Sequence, residues 1–221
     1  GFIKVGEVMS GNYYWSSSPY MTLTVNSTDE DLTNMSNSLW SVVAHANTVY
    51  NNLKGASASQ VVKNQCMGEC LAWKAMAYFF LVRSFGDVPI IHDNSKMLAD
   101  GSYSSVSRVQ KSDVYDYIIM TLEKAMELLP RKGNPGRIDY YSAEGLLAKV
   151  YLYKSGVKAN GNGQRDAGDL NKAAMYAKDV IDNSGRELMS NYSDVFRLQN
   201  ALNRECLFSW LWTADTSMWT V

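Results

Sequence analysis

Asn12-Tyr13-Tyr14-Trp15 is the segment of this 221-residue chain whose side chains point most directly to a chemistry. Sugars present C–H faces that stack on aromatic rings, while amide and hydroxyl side chains hydrogen-bond their hydroxyls. These four residues stand in a Ser-, Asn-, Tyr- and Gly-rich stretch over 1–27 that has no sustained period and also holds Tyr20. Two readings are open for the rings. They form an exposed platform for a glycan, or they plug a helix stack, since large aromatic side chains are usually mostly buried.

Other constellations are weaker. Cys66 and Cys70 are spaced i, i+4 and would share one helix face, which is half a metal site; the third cysteine, Cys206, is far off in sequence. Two small buried hydrophobes are the plainer reading, and three cysteines make no disulfide framework. The run 161–168 is Gly-rich, but it follows a helix and lacks Gly-Lys-Ser/Thr, so it reads as a surface loop and not a phosphate loop. Asp166 and Asp169 do not have the ligand spacing of a calcium loop. Glu144 and Glu205 are the candidate carboxylates for glycoside hydrolysis, yet nothing in the sequence brings them together. Helix–helix ion pairs or caps are expected for Glu69 and Glu144, and Asp87 is expected to satisfy turn backbone groups. His45 reads as a hydrogen-bonded core residue, and 102–107 holds no Gly-x-Ser-x-Gly elbow. No metal or cofactor is called for.

The elements that must position these residues are helices. Helices are predicted over about 28–54 with Thr28 as N-cap, 61–85, 113–129 capped by Ser112, 140–155 capped by Asp139, and 170–183 capped by Asp169. One or two further helical turns are expected within 194–202, and Cys206 to Trp212 looks like a strand. The helix over 61–85 is apolar around most of its circumference, which places it centrally. Its Ala72, Ala75 and Ala77 allow close helix approach. Ala72, Ala75, Tyr78, Leu81, Leu122, Ala125, Leu147, Val150 and Ala174 are the expected core. Ala148-Lys149-Val150-Tyr151-Leu152-Tyr153 followed by Lys172-Ala173-Ala174-Met175-Tyr176-Ala177 is a loose tetratricopeptide pattern with a long loop inserted. The fold class expected is therefore all-α, a tetratricopeptide-like stack of helix pairs with long loops and a minor β element near 206–212, in a single helical domain over 1–221.

Composition agrees. Hydrophobic residues are 46% and charged residues 19%, as in globular chains, and a chain of this length buries roughly 70% of its unfolded surface. The net charge of −1 argues against a general nucleic-acid binder. No apolar run reaches the ~18 residues of a membrane-spanning helix. The chain starts at Gly1-Phe2-Ile3 without an initiating Met and reads as a processed or truncated piece.

Glu69-Cys70-Leu71-Ala72-Trp73-Lys74-Ala75-Met76-Ala77-Tyr78-Phe79-Phe80-Leu81-Val82-Arg83-Ser84-Phe85-Gly86-Asp87-Val88-Pro89 is the most telling run of the chain. It resembles the acidic residue, Arg-Ala, Tyr-Phe, Leu, Phe-Gly-Asp-Val-Pro pattern of the SusD/RagB family, with Lys74 where Arg is usual. Ser41 to Val49, Val114-Tyr115, Leu128-Leu129-Pro130, Gly136-Arg137, Ala148 to Tyr153 and Glu205-Cys206-Leu207-Phe208-Ser209 fall in the family's order. The resemblance covers about 35–212, and family members are roughly twice this long. It implies a non-catalytic, surface-exposed lipoprotein of the outer membrane, held by a lipid anchor outside this chain. Such a protein binds a glycan and delivers oligosaccharide to a SusC-like TonB-dependent transporter. The alternatives are a protein-interaction scaffold and, less in keeping with the residues, a helical glycoside hydrolase. The glycan contacts expected on this chain are Asn12, Tyr13, Tyr14 and Trp15.

Overall fold

The computed structural model describes residues 3–16, 18–134, 136–157 and 163–209. It is built from helices: α1 (Pro19–Thr22), α2 (Glu30–Gly55), α3 (Gln60–Phe85), α4 (Asn94–Asp100), α5 (Lys111–Leu128), α6 (Tyr140–Lys154) and α7 (Ala167–Asn183). The N-terminal residues Ile3–Val8 form a π-helical turn, and short 3-10 turns lie at Ser102–Ser105, Tyr192–Phe196 and Leu198–Asn200. The last two overlap the expected 194–202 region, Leu198–Asn200 lying within it and Tyr192–Phe196 starting two residues before it. The run expected to be a strand is irregular through 209, and its remainder lies outside the described residues. Extended pairing is present as an isolated antiparallel bridge between Val88 and Val109.

Helix boundaries follow their caps. The first long helix starts at Asp29 and not Thr28, because Asn26 Oδ1 already accepts from both the backbone N–H and the hydroxyl of Thr28. Asp29 Oδ1 instead accepts from the Leu32 N–H at 2.9 Å. Asp139 caps α6 as expected, in a capping box with Ser142. The cap of α7 is Asp166 and not Asp169, which lies one turn in. Ser112 likewise sits inside α5: the Lys111 N–H is satisfied from outside, by Asp87 Oδ1 at 2.8 Å. The Gly86-Asp87 turn therefore serves a helix start 24 residues on, and Gly86 itself adopts φ +71, a conformation that glycine accepts without Cβ strain.

The stack runs in chain order. α2 packs on α3, α3 on α5, α5 on α6 and α6 on α7. The centre of α3 is buried as its all-round apolar character requires, with Ala72, Ala75, Tyr78 and Leu81 wholly enclosed. Leu122 and Ala125 of α5 and Leu147 and Val150 of α6 are enclosed with them. Ala174 is not: α7 turns Ala173 and Val180 inward, and Ala174 faces solvent. Small residues set the spacing. A Cβ on Gly68 would stand 2.7 Å from Leu129 Cγ, so α3 and α5 approach at a point where only glycine fits. Tyr78 ties the next connection down. Its ring meets Trp40 and Tyr117 edge-on, and its hydroxyl accepts the Ile91 N–H at 2.8 Å.

Candidate functional site

The aromatic loop leaves the π-helical turn at Val8, which is buried, and re-enters the fold at Tyr20, which is buried too. Ser18 caps α1 by accepting from the Tyr20 N–H. The Tyr20 hydroxyl donates to Asp29 Oδ1, the same atom that caps α2. Burial, and then the neighbouring Asp29 carboxylate, push the Tyr20 phenol above its ordinary pKa, so it remains a donor. Tyr20 is thus the anchor of the loop and not part of its surface.

Between these anchors the rings face outward. Tyr14 is 74% exposed, Tyr13 46% and Trp15 45%. The Tyr13 and Trp15 rings are tilted by 35° with centroids 6.1 Å apart, so the two form a coupled pair with Tyr14 standing free of the core. Asn12 is exposed and its amide donates weakly to Glu7 Oε2 at 3.5 Å. Backbone bonds from Tyr13 N to Glu7 O (3.2 Å) and Ser18 N to Trp15 O (3.2 Å) hold the loop. Chemically, this is a set of accessible π faces beside amide and carboxylate groups.

The other candidates resolve into structural roles. Cys66 and Cys70 are half-buried free thiols, and burial first, with Cys66 and Glu69 adding, pushes Cys70 up to about 11. Among the described residues no cluster of three or more His, Cys, Asp or Glu side chains is placed to hold a metal. Glu69 does not bridge two helices: it receives two hydrogen bonds, at 2.8 and 2.6 Å, from Arg137 on the segment leading into α6. Asp139 accepts from Arg186 at 2.8 Å. Although burial works against it, Arg186 and Ser142 hold its carboxyl below the ordinary range. Lys154 takes Asp169 at 3.1 Å. Within 161–168, residues 161 and 162 lie outside the described residues, and Asp166 is the α7 cap.

Glu144 is 2% exposed, and its Oε2 has no hydrogen-bond partner among the described residues. Burial, and then the adjacent Asp179 carboxyl, raise its pKa to about 7. Among the described residues it makes no ion pair, contrary to expectation, and it is closed to a glycosidic oxygen. Glu205 accepts the Met189 N–H at 3.0 Å. His45 is exposed, with Nδ1 2.7 Å from Ser41 O. The phase of α2 buries Val43, Ala46 and Asn47 instead.

Sequence reasoning missed a cavity of about 400 Å³ between α2, α3 and α5, with Lys74 and His92 in its wall. The available signal was a lysine at the middle of a helix that is apolar around most of its circumference.

Comparison with known proteins adds the family. Residues 3–152 match the SusD-like family described as starch-binding, associating with outer membrane. A SusD-like protein of Bacteroides ovatus is 36% identical over 215 residues, covering 95% of this chain and 38% of its own length. SusD-like protein P2 of Formosa agariphila is 28% identical over 179 residues, covering 77% of this chain and 32% of its own. A structure solved with xylogluco-oligosaccharide is 34% identical at a TM-score of 0.79, covering 92% of this chain and 41% of that one. The chain therefore spans between about a third and two fifths of these relatives' length. With the family match over 3–152 and 36% identity across nearly the whole chain, the protein belongs to the SusD-like family.

Proposed function

We propose that this chain is the helical part of a non-catalytic, surface-exposed outer-membrane lipoprotein that binds a glycan and passes oligosaccharide to a SusC-like TonB-dependent transporter. A lipid anchor outside these 221 residues attaches it to the membrane. The observation that carries the glycan reading is the exposure of three consecutive rings, Tyr13, Tyr14 and Trp15, on a loop whose two ends are buried. Buried ends limit the entropy lost when a ligand settles on the rings, because the loop is already held. Asn12 supplies an amide at the edge of this surface for a sugar hydroxyl. The relative solved with xylogluco-oligosaccharide makes a xyloglucan oligosaccharide the first ligand to try. The hydrolase reading loses support because Glu144, one of its two carboxylates, is enclosed.

Calorimetric titration of the protein with xyloglucan oligosaccharide tests the proposal. Each stacking ring contributes on the order of 1 kcal/mol. Trp15→Ala and Tyr14→Ala are then expected to weaken binding several-fold each and to leave the melting temperature nearly unchanged. Undiminished binding in both variants, or a large drop in melting temperature for Trp15→Ala, would remove the loop as the ligand surface. Recovery of the oligosaccharide cleaved after incubation would contradict the non-catalytic assignment. For the partner, a TonB-dependent barrel is expected to co-purify with the full-length protein from membranes.

A further inference from the structure

Lys74 lies near the middle of α3 and is 6% exposed. Buried ammonium groups are normally paired with carboxylates, because desolvation of an isolated charge is costly. Lys74 is not: among the described residues it has no ion pair, and what it meets is the ring of Tyr117, 5.3 Å from Nζ. Burial pushes its pKa down to about 8, so at neutral pH most of the population is still charged. His92 stands edge-on to the same Tyr117 ring at 5.3 Å. Burial, and then the Lys74 charge, lower its pKa, which keeps the imidazole neutral.

Lys74 is in the wall of the cavity between α2, α3 and α5, and no lining residue of that cavity is acidic. The carboxylates close by are engaged elsewhere. Asp93 accepts from Asn51 and caps α4, and Glu127 pairs with Lys124. The other cations of the wall are exposed to solvent: Lys124 pairs with Glu127, and Lys54 donates to Asn51 Oδ1 at 2.9 Å. One buried, unpaired ammonium therefore faces a space large enough for a small organic molecule, with aromatic and aliphatic walls at Tyr50, Tyr117, Leu71 and Met120.

We propose that the Lys74 cavity binds a small carboxylate carried on a ring with an apolar face, its carboxylate on the Lys74 ammonium and its ring against the tyrosines. One buried unpaired ammonium calls for one buried negative charge. A phosphate dianion would bring a second negative charge in with no second buried cation to meet it. The site lies apart from the aromatic loop and does not depend on the glycan assignment made there.

Calorimetric titration with glucuronate, glucose and inorganic phosphate tests the site. Glucuronate is expected to bind and glucose to bind at least tenfold more weakly, because it has the ring without the charge. Lys74→Met is expected to abolish glucuronate binding, Lys74→Arg to retain it within a few-fold, and Trp15→Ala to leave it unchanged. A second measurement needs no substitution: glucuronate is expected to protect Lys74 from reductive methylation, read by mass spectrometry, and to leave the exposed Lys178 unprotected. The proposal is overturned by absence of glucuronate binding to the wild type, by equal binding to Lys74→Met, or by absence of Lys74 protection. Phosphate binding as tightly as glucuronate would overturn the choice of a carboxylate.

Discussion

Glu144 shows how one residue read correctly for its type acquires a different role in place. Its carboxyl is enclosed beside Asp179, and its pKa stands at about 7 against an ordinary 4.5. Between those two values the folded protein holds a proton that the unfolded chain releases. Stability from this group is therefore full below about 4.5 and is lost as pH rises through about 7. Glu144→Gln carries no charge to desolvate, and it is expected to melt higher than the wild type at about pH 8 and to show a flatter dependence between about pH 5 and pH 8. Thermal melts of both proteins at the two pH values check this, and parallel curves would contradict it. The residue types were legible in the sequence, while the enclosure was not. Nothing in the run Ala143-Glu144-Gly145 announces that Asp179, 35 positions later, lies against it.

At the scale of elements, the approach of α3 to α5 rests on a glycine. Gly68→Ala gains about 1 kcal/mol of helix propensity. Its Cβ, however, meets Leu129 Cγ at 2.7 Å and the rigid Ala125 carbonyl oxygen at 3.2 Å. Overpacking of this kind costs about 1–3 kcal/mol, so a net loss of stability is expected, read as a lower midpoint in urea at unchanged slope. A raised midpoint would mean that the helices can separate at that point without cost. Periodicity revealed the long helices to within a few residues, because their apolar stripes and caps are local. It misplaced the caps Thr28, Ser112 and Asp169, since each true start depends on which of several nearby polar side chains is free to accept. For α5 that acceptor, Asp87, comes from another turn of the chain. It also turned His45 inward, one step from the Ala46 and Asn47 that are buried.

For the whole molecule, charge decides little. The net charge is −1, and the rings of the aromatic loop carry none. Screening lengths shorten from ~30 Å at 0.01 M salt to ~3 Å at 1 M. Binding of a neutral oligosaccharide at the loop is therefore expected to change less than about twofold across that range, because stacking and neutral hydrogen bonds are not screened. Titrations at low and high salt check it, and a steep salt dependence would point to a charged contact and away from the rings.

The sequence by itself determined the all-α class, the central place of α3 and most of its core, because these follow from local propensity and from how much apolar surface each helix must hide. Its motif order also carried the family resemblance. Tertiary structure alone decided which side chains are accessible. Tyr13, Tyr14 and Trp15 are exposed while Tyr20, five residues on from Trp15, is buried. All four are aromatic residues in one irregular stretch without a period, so no pattern separates them. The separation comes from Asp29, whose carboxylate draws the Tyr20 hydroxyl inward. The Lys74 cavity is of the same kind: a lysine among apolar residues is visible in the chain, but the absence of acidic side chains around it depends on how α2, α3 and α5 meet.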